Sequence, residues 1–367
     1  MNKKLSTFEA FSILIMLTIN TILLDLPKYA LEQTGTGSIV NCIYIGSFVF
    51  IFLIIFNKLF KNFPTWDILD ISNFLGGKLL KTLIGLLFLF ILFISICNSL
   101  AQVSVMLKTV YFEKSPMLYI LLFFIFGILI CNLNGFSAVK NSICFYLPIA
   151  ILTLLFVFKS RINGFSLLKI TPILGYSYES TFFNGFSNIF IFTNILTMYF
   201  LLPFLENFKN FKKITIGSFI ISWILFLLTM IALLTSYPFD NISADINSIY
   251  ILTRRTELSA FIQRSDGIFV FTCILAFLSY LSFVLYLITH IIKKIFNLEN
   301  EKRITYSVIP FILGLTYFFT LNNFYKFNGT NIFKYAFILT VFIICFFILI
   351  FSSIKKNSTH SNFKNKK

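Results

Sequence analysis

The 367 residues are 58% apolar and only 12% charged, with a mean hydropathy of +0.89, whereas a soluble globular domain carries about twice that share of charge. Apolar stretches of about 20 residues, each long enough to cross a bilayer, recur from end to end, which makes this a polytopic α-helical membrane protein with no room for a separate soluble domain. The formal net charge of +16 sits mostly in short connections and tails, where positive charge sets orientation and meets anionic headgroups, so nucleic acid is not an expected partner and membrane lipid is.

No stretch shows sustained apolar–polar alternation, so the spans are helices and not barrel strands. Lys3 and Lys4 precede a long apolar segment without a small-residue cleavage site, which predicts an uncleaved first span and not a signal peptide. Ten spans are expected, at about 8–27, 37–57, 80–107, 117–133, 142–158, 184–205, 214–236, 259–292, 305–321 and 332–354. The tails and the connections after each even-numbered span hold 19 of the 30 Lys and Arg residues, which favours both termini in the cytoplasm.

Three connections are long enough to carry structure. Residues 58–79, with Trp66 among charges and short apolar runs, suit an interfacial helix on the cytoplasmic side. Residues 159–183 and 237–258 fall on the outer side, where the second is expected to form short helices over the mouth. The six cysteines lie scattered in apolar segments without CxxC or Cys/His spacing and read as small buried hydrophobes. With only two histidines, His290 and His360, no histidine-based metal site or catalytic triad is expected, and no phosphate-binding glycine loop is present. The abundance of Phe (51 residues) beside Ile, Asn and Lys matches an AT-rich genome, so single Phe residues carry little functional weight. No cofactor, no metal and no enzymatic activity are expected.

Spans one to five and six to ten are equal in number, and an odd number per half inverts the second half. The first span of each half carries an interruption: Asn20-Thr21, Asp25 and Pro27 in one, Thr193-Asn194 and Pro203 in the other. Paired discontinuous helices at matching positions of inverted repeats point to a midplane substrate site, because freed backbone groups are tolerated in a membrane only where they line a cavity or meet a ligand. The expected fold is all-α, a five-plus-five inverted repeat with helices one and six discontinuous, repeat one over 8–158 and repeat two over 184–354.

At these residues the chain resembles the spore germination receptor B-subunits, a branch of the amino acid–polyamine–organocation transporter superfamily. The likeness covers nearly the whole chain. It rests on Leu5-Ser6 before span one, on Asn20-Thr21-Ile22-Leu23-Leu24-Asp25-Leu26-Pro27, and on Leu202-Pro203-Phe204-Leu205 closing span six. Tyr237-Pro238 follows span seven, and Phe261-Ile262-Gln263-Arg264-Ser265-Asp266 leads into a long eighth span. The resemblance implies a site for a small amino-acid-like ligand beside broken spans one and six. It also implies an inner spore membrane location and a receptor complex with an A-subunit membrane protein and a C-subunit lipoprotein. One departure stands out. Where the family carries a glycine-bearing stretch, which lets backbone approach a carboxylate closely, this chain has Asn20-Thr21-Ile22.

The candidate ligand-binding residues are accordingly Asn20, Thr21 and Ile22, their counterparts Thr193, Asn194 and Ile195, and Asn98 with Gln102, four apart on one face of span three. For each polar member the competing reading is an interhelical hydrogen bond. Asp25 is the one carboxylate clearly within the first span and a candidate for H⁺ or cation coupling, against a hydrated position near the outer interface. Arg264 and Asp266 are candidate gating residues, against anchorage of the start of span eight; Pro27 and Pro203 are candidate helix breaks. Glu9 reads as interfacial. Three functions follow: a germinant-sensing subunit, an H⁺- or Na⁺-coupled amino-acid permease, or a scaffold subunit with a vestigial cavity.

Overall fold

The computed structural model describes residues 4–23, 26–159, 170–236, 250, 253, 266–324 and 331–364. In chain order its helices are α1 (Thr7–Leu23), α2 (Leu26–Thr34), α3 (Ser38–Phe60), α4 (Ile68–Val110), α5 (Met117–Leu133), α6 (Phe136–Lys159) and α7 (Tyr178–Phe182). A 3₁₀ run (Asn184–Thr197), α8 (Met198–Leu201) and a 3₁₀ turn (Leu202–Phe204) follow. The chain continues through α9 (Phe211–Ser236), α10 (Asp266–Phe296), α11 (Glu301–Leu321) and α12 (Asn331–Ile338), then a π-helical turn (Leu339–Ile344) and α13 (Cys345–Lys364).

Seven of these segments are long and apolar enough to cross a membrane, and the bent pair Tyr178–Phe192 and Ile195–Phe204 forms an eighth. Two 17-residue apolar helices, α1 and α5, reach the lower limit for a span. Among the described residues these ten apolar segments overlap the ten read from hydropathy. Hydrophobicity alone does not assemble such helices in lipid; close packing and interhelical hydrogen bonds do. Gly46 on α3 shows the first: a Cβ there would overlap the Trp223 ring of α9, whose Nε1–H donates to the Cys42 carbonyl at 3.1 Å. Tyr199 shows the second. Its hydroxyl, in a fully buried side chain, donates at 2.8 Å to the Val341 carbonyl in the π-helical turn of the last span.

Within the connection expected to carry an interfacial helix, the opening of α4 is helical. Asp67 caps it in a reciprocal box with Asp70, and the chain kinks at Gly76 and Gly77, the latter at φ +68°, before the long apolar stretch that follows. Glycine takes that left-handed conformation without the steric penalty a Cβ brings.

The end of the molecule that carries both termini is closed by layered contacts. Leu5 pairs with the end of the sixth span, its N–H donating to Phe204 at 2.6 Å and its carbonyl accepting from Glu206 at 3.1 Å. Beside this pairing, Phe136, Phe204, Tyr286 and His290 form an aromatic cluster, in which Tyr286 stacks on Phe136 at 4.5 Å, centroid to centroid, and Phe204 meets His290 edge-on. At the opposite end, Gln33 of α2 donates to the Asn184 carbonyl and to Ser187, while Asn41 of α3 donates to the Thr181 carbonyl and accepts from Asn188.

Candidate functional site

The sixth span bends beside α1. α1 runs helically through Asn20, Thr21 and Ile22 to Leu23, so these three lie within helix, and Pro27 lies in α2. Asp25 lies outside the described residues, as does Arg264, while Asp266 is the first residue of α10. In the sixth span the axis turns by 47° between Phe192 and Ile195, at Thr193 and Asn194. Pro203 sits further on, in the 3₁₀ turn that closes the span.

The 3₁₀ run of span six packs directly on α1. Where α1, the bend and α9 meet, a cavity of about 20 Å³ is lined by Leu14, Thr18, Phe192, Ile195, Met198, Ser218, Phe219 and Ser222. That is room for about one water and far below the few hundred Å³ of an ordinary small-molecule site. A ligand larger than water does not fit this cavity as it stands. Ile195 is the one expected ligand residue on this wall; Thr18, Ser218 and Ser222 had no sequence signal, since a hydroxyl inside a span ordinarily bonds its own helix. Thr18 and Ser218 do so here, donating to the Leu14 and Thr215 carbonyls.

Asn20 behaves differently. Its side chain is fully buried, and neither Nδ2 nor Oδ1 finds a hydrogen-bond partner among the described residues. Leaving a buried amide unsatisfied costs about 1–3 kcal/mol per group. Thr21, its neighbour, donates to the Thr18 carbonyl at 2.7 Å and is satisfied. Ile22 is fully buried apolar packing. On α4, Asn98 is buried with an unpartnered Oδ1, and Gln102 lies one turn beyond it, half-buried. α4 packs on α10, which also touches α1, so α10 joins the two helices that carry unsatisfied amides.

A charged cluster at the termini end has no precedent in local spacing. Lys294 Nζ lies 2.6 Å from Asp67 Oδ2 and 2.6 Å from Asp70 Oδ2, and His290 Nε2 lies 3.7 Å from Asp67 Oδ2. The Asp67 side chain is fully buried. Burial pushes its carboxyl up, but the His290 ring, the Lys294 ammonium and the Asp70 N–H together outweigh this and hold it below the ordinary carboxylate range. A second pair, Lys140 with Glu9 at 2.8 Å, ties the start of span one to the start of α6. Glu9, expected at the interface, is thus paired across helices. Lys334, at the other end of the last span, is buried to 4% exposure with its ammonium 6.0 Å from the centre of the Tyr29 ring. An ionisable group at such a place is a functional candidate by default, and its apolar neighbours in sequence hid it. Among the described residues no group of His, Cys, Asp and Glu is arranged to hold a metal ion.

Comparison with known proteins agrees with this architecture. A Na⁺-coupled sialic acid symporter in a substrate-bound, outward-open state superposes with a TM-score of 0.66 over 93% of this chain and 80% of that one, at 12% identity. The likeness establishes the all-α, transporter-like membrane fold. Spore germination protein A2 of Bacillus subtilis (strain 168) is 26% identical over 323 residues, 86% of each chain. The spore permease family model, described as spore germination protein, matches residues 4–327. The chain belongs to the spore germination protein family.

Proposed function

We propose that this chain is the germinant-sensing membrane subunit of a spore germination receptor, non-enzymatic, with a small amino-acid-like nutrient bound beside broken spans one and six. The observation that carries the reading is Asn20: a fully buried amide near the end of α1 whose two polar atoms both lack a partner among the described residues. A polar ligand completes what the helices leave open. In this reading Asn20, Asn98 and Gln102 meet polar ligand atoms, Thr21, Ile22 and Ile195 shape the wall, and Thr193 and Asn194 present freed backbone N–H groups to an anionic ligand group. Asp25, Arg264 and Asp266 are coupling or gating positions, and Pro27 and Pro203 define the helix ends.

Residues 8–158 and 184–354 act as the two inverted repeats. The termini end faces the cytoplasm, supported by the excess of Lys and Arg there, and the protein resides in the inner membrane of the spore beside an A-subunit and a C-subunit lipoprotein. Sensing needs differential affinity for two conformations, not net transport. A cavity with room for about one water fits a resting conformation, from which a nutrient would favour a more open one. The same small volume favours, as a second reading, a scaffold whose cavity is vestigial. Titration of the purified chain with a panel of amino acids, read by thermal shift, separates them: a sensor is stabilised by a germinant amino acid, with loss of the shift in Asn20→Leu. Absence of any shift with nutrients to which the spores respond supports the scaffold.

A further inference from the structure

At the termini end, α3 and α9 part to form a groove of about 750 Å³. Its rim carries four lysines: Lys58 and Lys61, three apart at the end of α3, and Lys209 and Lys212, three apart where the chain enters α9. All four are exposed, and none has an ion-pair partner among the described residues. The three-residue spacing of Lys58 and Lys61 places them near one face at the end of α3, Lys209 lies in the 3₁₀ turn Phe208–Asn210 just before Phe211 and Lys212 open α9, and no acidic residue lines the groove.

The local electrostatics sharpen the anomaly. The N-terminus of a helix carries the positive end of its dipole and favours acidic residues. α9 instead opens Phe211-Lys212-Lys213, with no acidic residue in its first turn. Cations at both the helix start and the facing rim are a standing cost that an anion removes. The floor is of the opposite character. Phe211 packs against Phe56 and Phe60, Asn57 and Thr215 hydrogen-bond across it at 2.9 Å, and Phe208 stacks on Phe211.

From this rim an apolar stripe runs along the outside of α3, where Phe48, Ile51, Ile54 and Ile55 are exposed at helical spacing, Ile51 to 60%. Ile220 and Ile224 expose the adjoining face of α9. A soluble anion has no use for that stripe. A phospholipid uses both parts, its phosphate among the ammoniums and an acyl chain along the stripe, while the lysine stems cover apolar floor.

We infer that the α3–α9 groove is a specific site for an anionic phospholipid in the leaflet at the termini end. This assignment does not depend on the sensing role. The test uses the full-length chain in detergent and native mass spectrometry with added phosphatidylglycerol or phosphatidylcholine. The expected result is retained phosphatidylglycerol in preference to phosphatidylcholine, with apparent affinity falling about tenfold or more in a variant carrying Lys58→Gln, Lys61→Gln, Lys209→Gln and Lys212→Gln. A variant with the same charge change elsewhere at this end (Lys78→Gln, Lys81→Gln, Lys302→Gln and Arg303→Gln) retains the lipid, and four Lys→Arg changes in the groove restore it. Equal loss in both glutamine variants means diffuse attraction and overturns the site. Displacement of the lipid by inorganic phosphate or glycerol phosphate at similar concentration assigns the rim to a soluble anion and overturns the lipid. Unchanged lipid retention in the groove variant, with loss of an acidic protein partner, overturns it equally.

Discussion

Replacement of Asn20 by leucine separates a ligand contact from a structural one by the sign of its effect on stability. Leucine keeps the branched shape and removes both polar atoms. In the ligand-free protein those atoms have no partner among the described residues, so the substitution removes a desolvation penalty of about 1–3 kcal/mol, against which tight packing of the larger side chain returns about 1 kcal/mol or more. The apo protein is therefore as stable as wild type or more stable. Ligand binding moves the other way: a hydrogen bond to a charged ligand group is worth about 1.5–3 kcal/mol, so affinity falls about tenfold or more. The assay is thermal unfolding of the purified chain with and without ligand, alongside the nutrient dose–response of spores carrying the variant. Asn20→Ala, which cannot overpack, runs beside it. Marked destabilisation of both variants with an unchanged dose–response would refute the reasoning, because Asn20 would then be holding helices together.

Other outcomes follow from the paired charges and close helix contacts. Lys294→Met leaves the Asp67 carboxylate buried without its nearest cation and is expected to cost about 3–5 kcal/mol; in denaturant unfolding, adding Asp67→Asn, which keeps an N-cap residue, recovers part of the loss. Because the native Asp67 carboxyl lies below its ordinary value, the stability it contributes is complete above about pH 4 and is lost only as pH falls further. A stability loss between pH 8 and 6 that disappears in Asp67→Asn contradicts this. Glu9→Gln weakens the pair with Lys140, at 2.8 Å, by about 1.5–3 kcal/mol. A cysteine placed at buried Ser12 then reacts with a thiol reagent about tenfold faster from the termini side, and equal rates remove the pair's role in closure. Gly46→Val drives a side chain into Trp223 and is expected to destabilise by about 1–3 kcal/mol with a shift in tryptophan emission; an unshifted spectrum contradicts the close contact.

Hydropathy was a sufficient guide to the spans because burial in lipid demands about 20 apolar residues wherever a helix crosses. The bend at Thr193 and Asn194 was legible for a related reason: two consecutive polar residues that break an apolar run need a cavity or a partner. The first span was harder to read. Asn20 and Thr21 look like breakers, yet a threonine can return its hydroxyl to its own helix, as Thr21 does to the Thr18 carbonyl, and the helix continues to Leu23. The Asp67–Lys294 pair was invisible because its members are 227 residues apart and neither has a local pattern. The hydroxyls of Thr18, Ser218 and Ser222 carry no signal until α1 and α9 are seen to flank the bend.

The most direct test of the sensing claim is the germination of spores that lack this chain, compared with wild type and Asn20→Leu, across concentrations of amino acids, sugars and salts. The account predicts that the null loses its response to one class of nutrient and that Asn20→Leu moves the half-maximal concentration of that nutrient upward by about tenfold or more. Null spores that answer every nutrient as wild type does would contradict it.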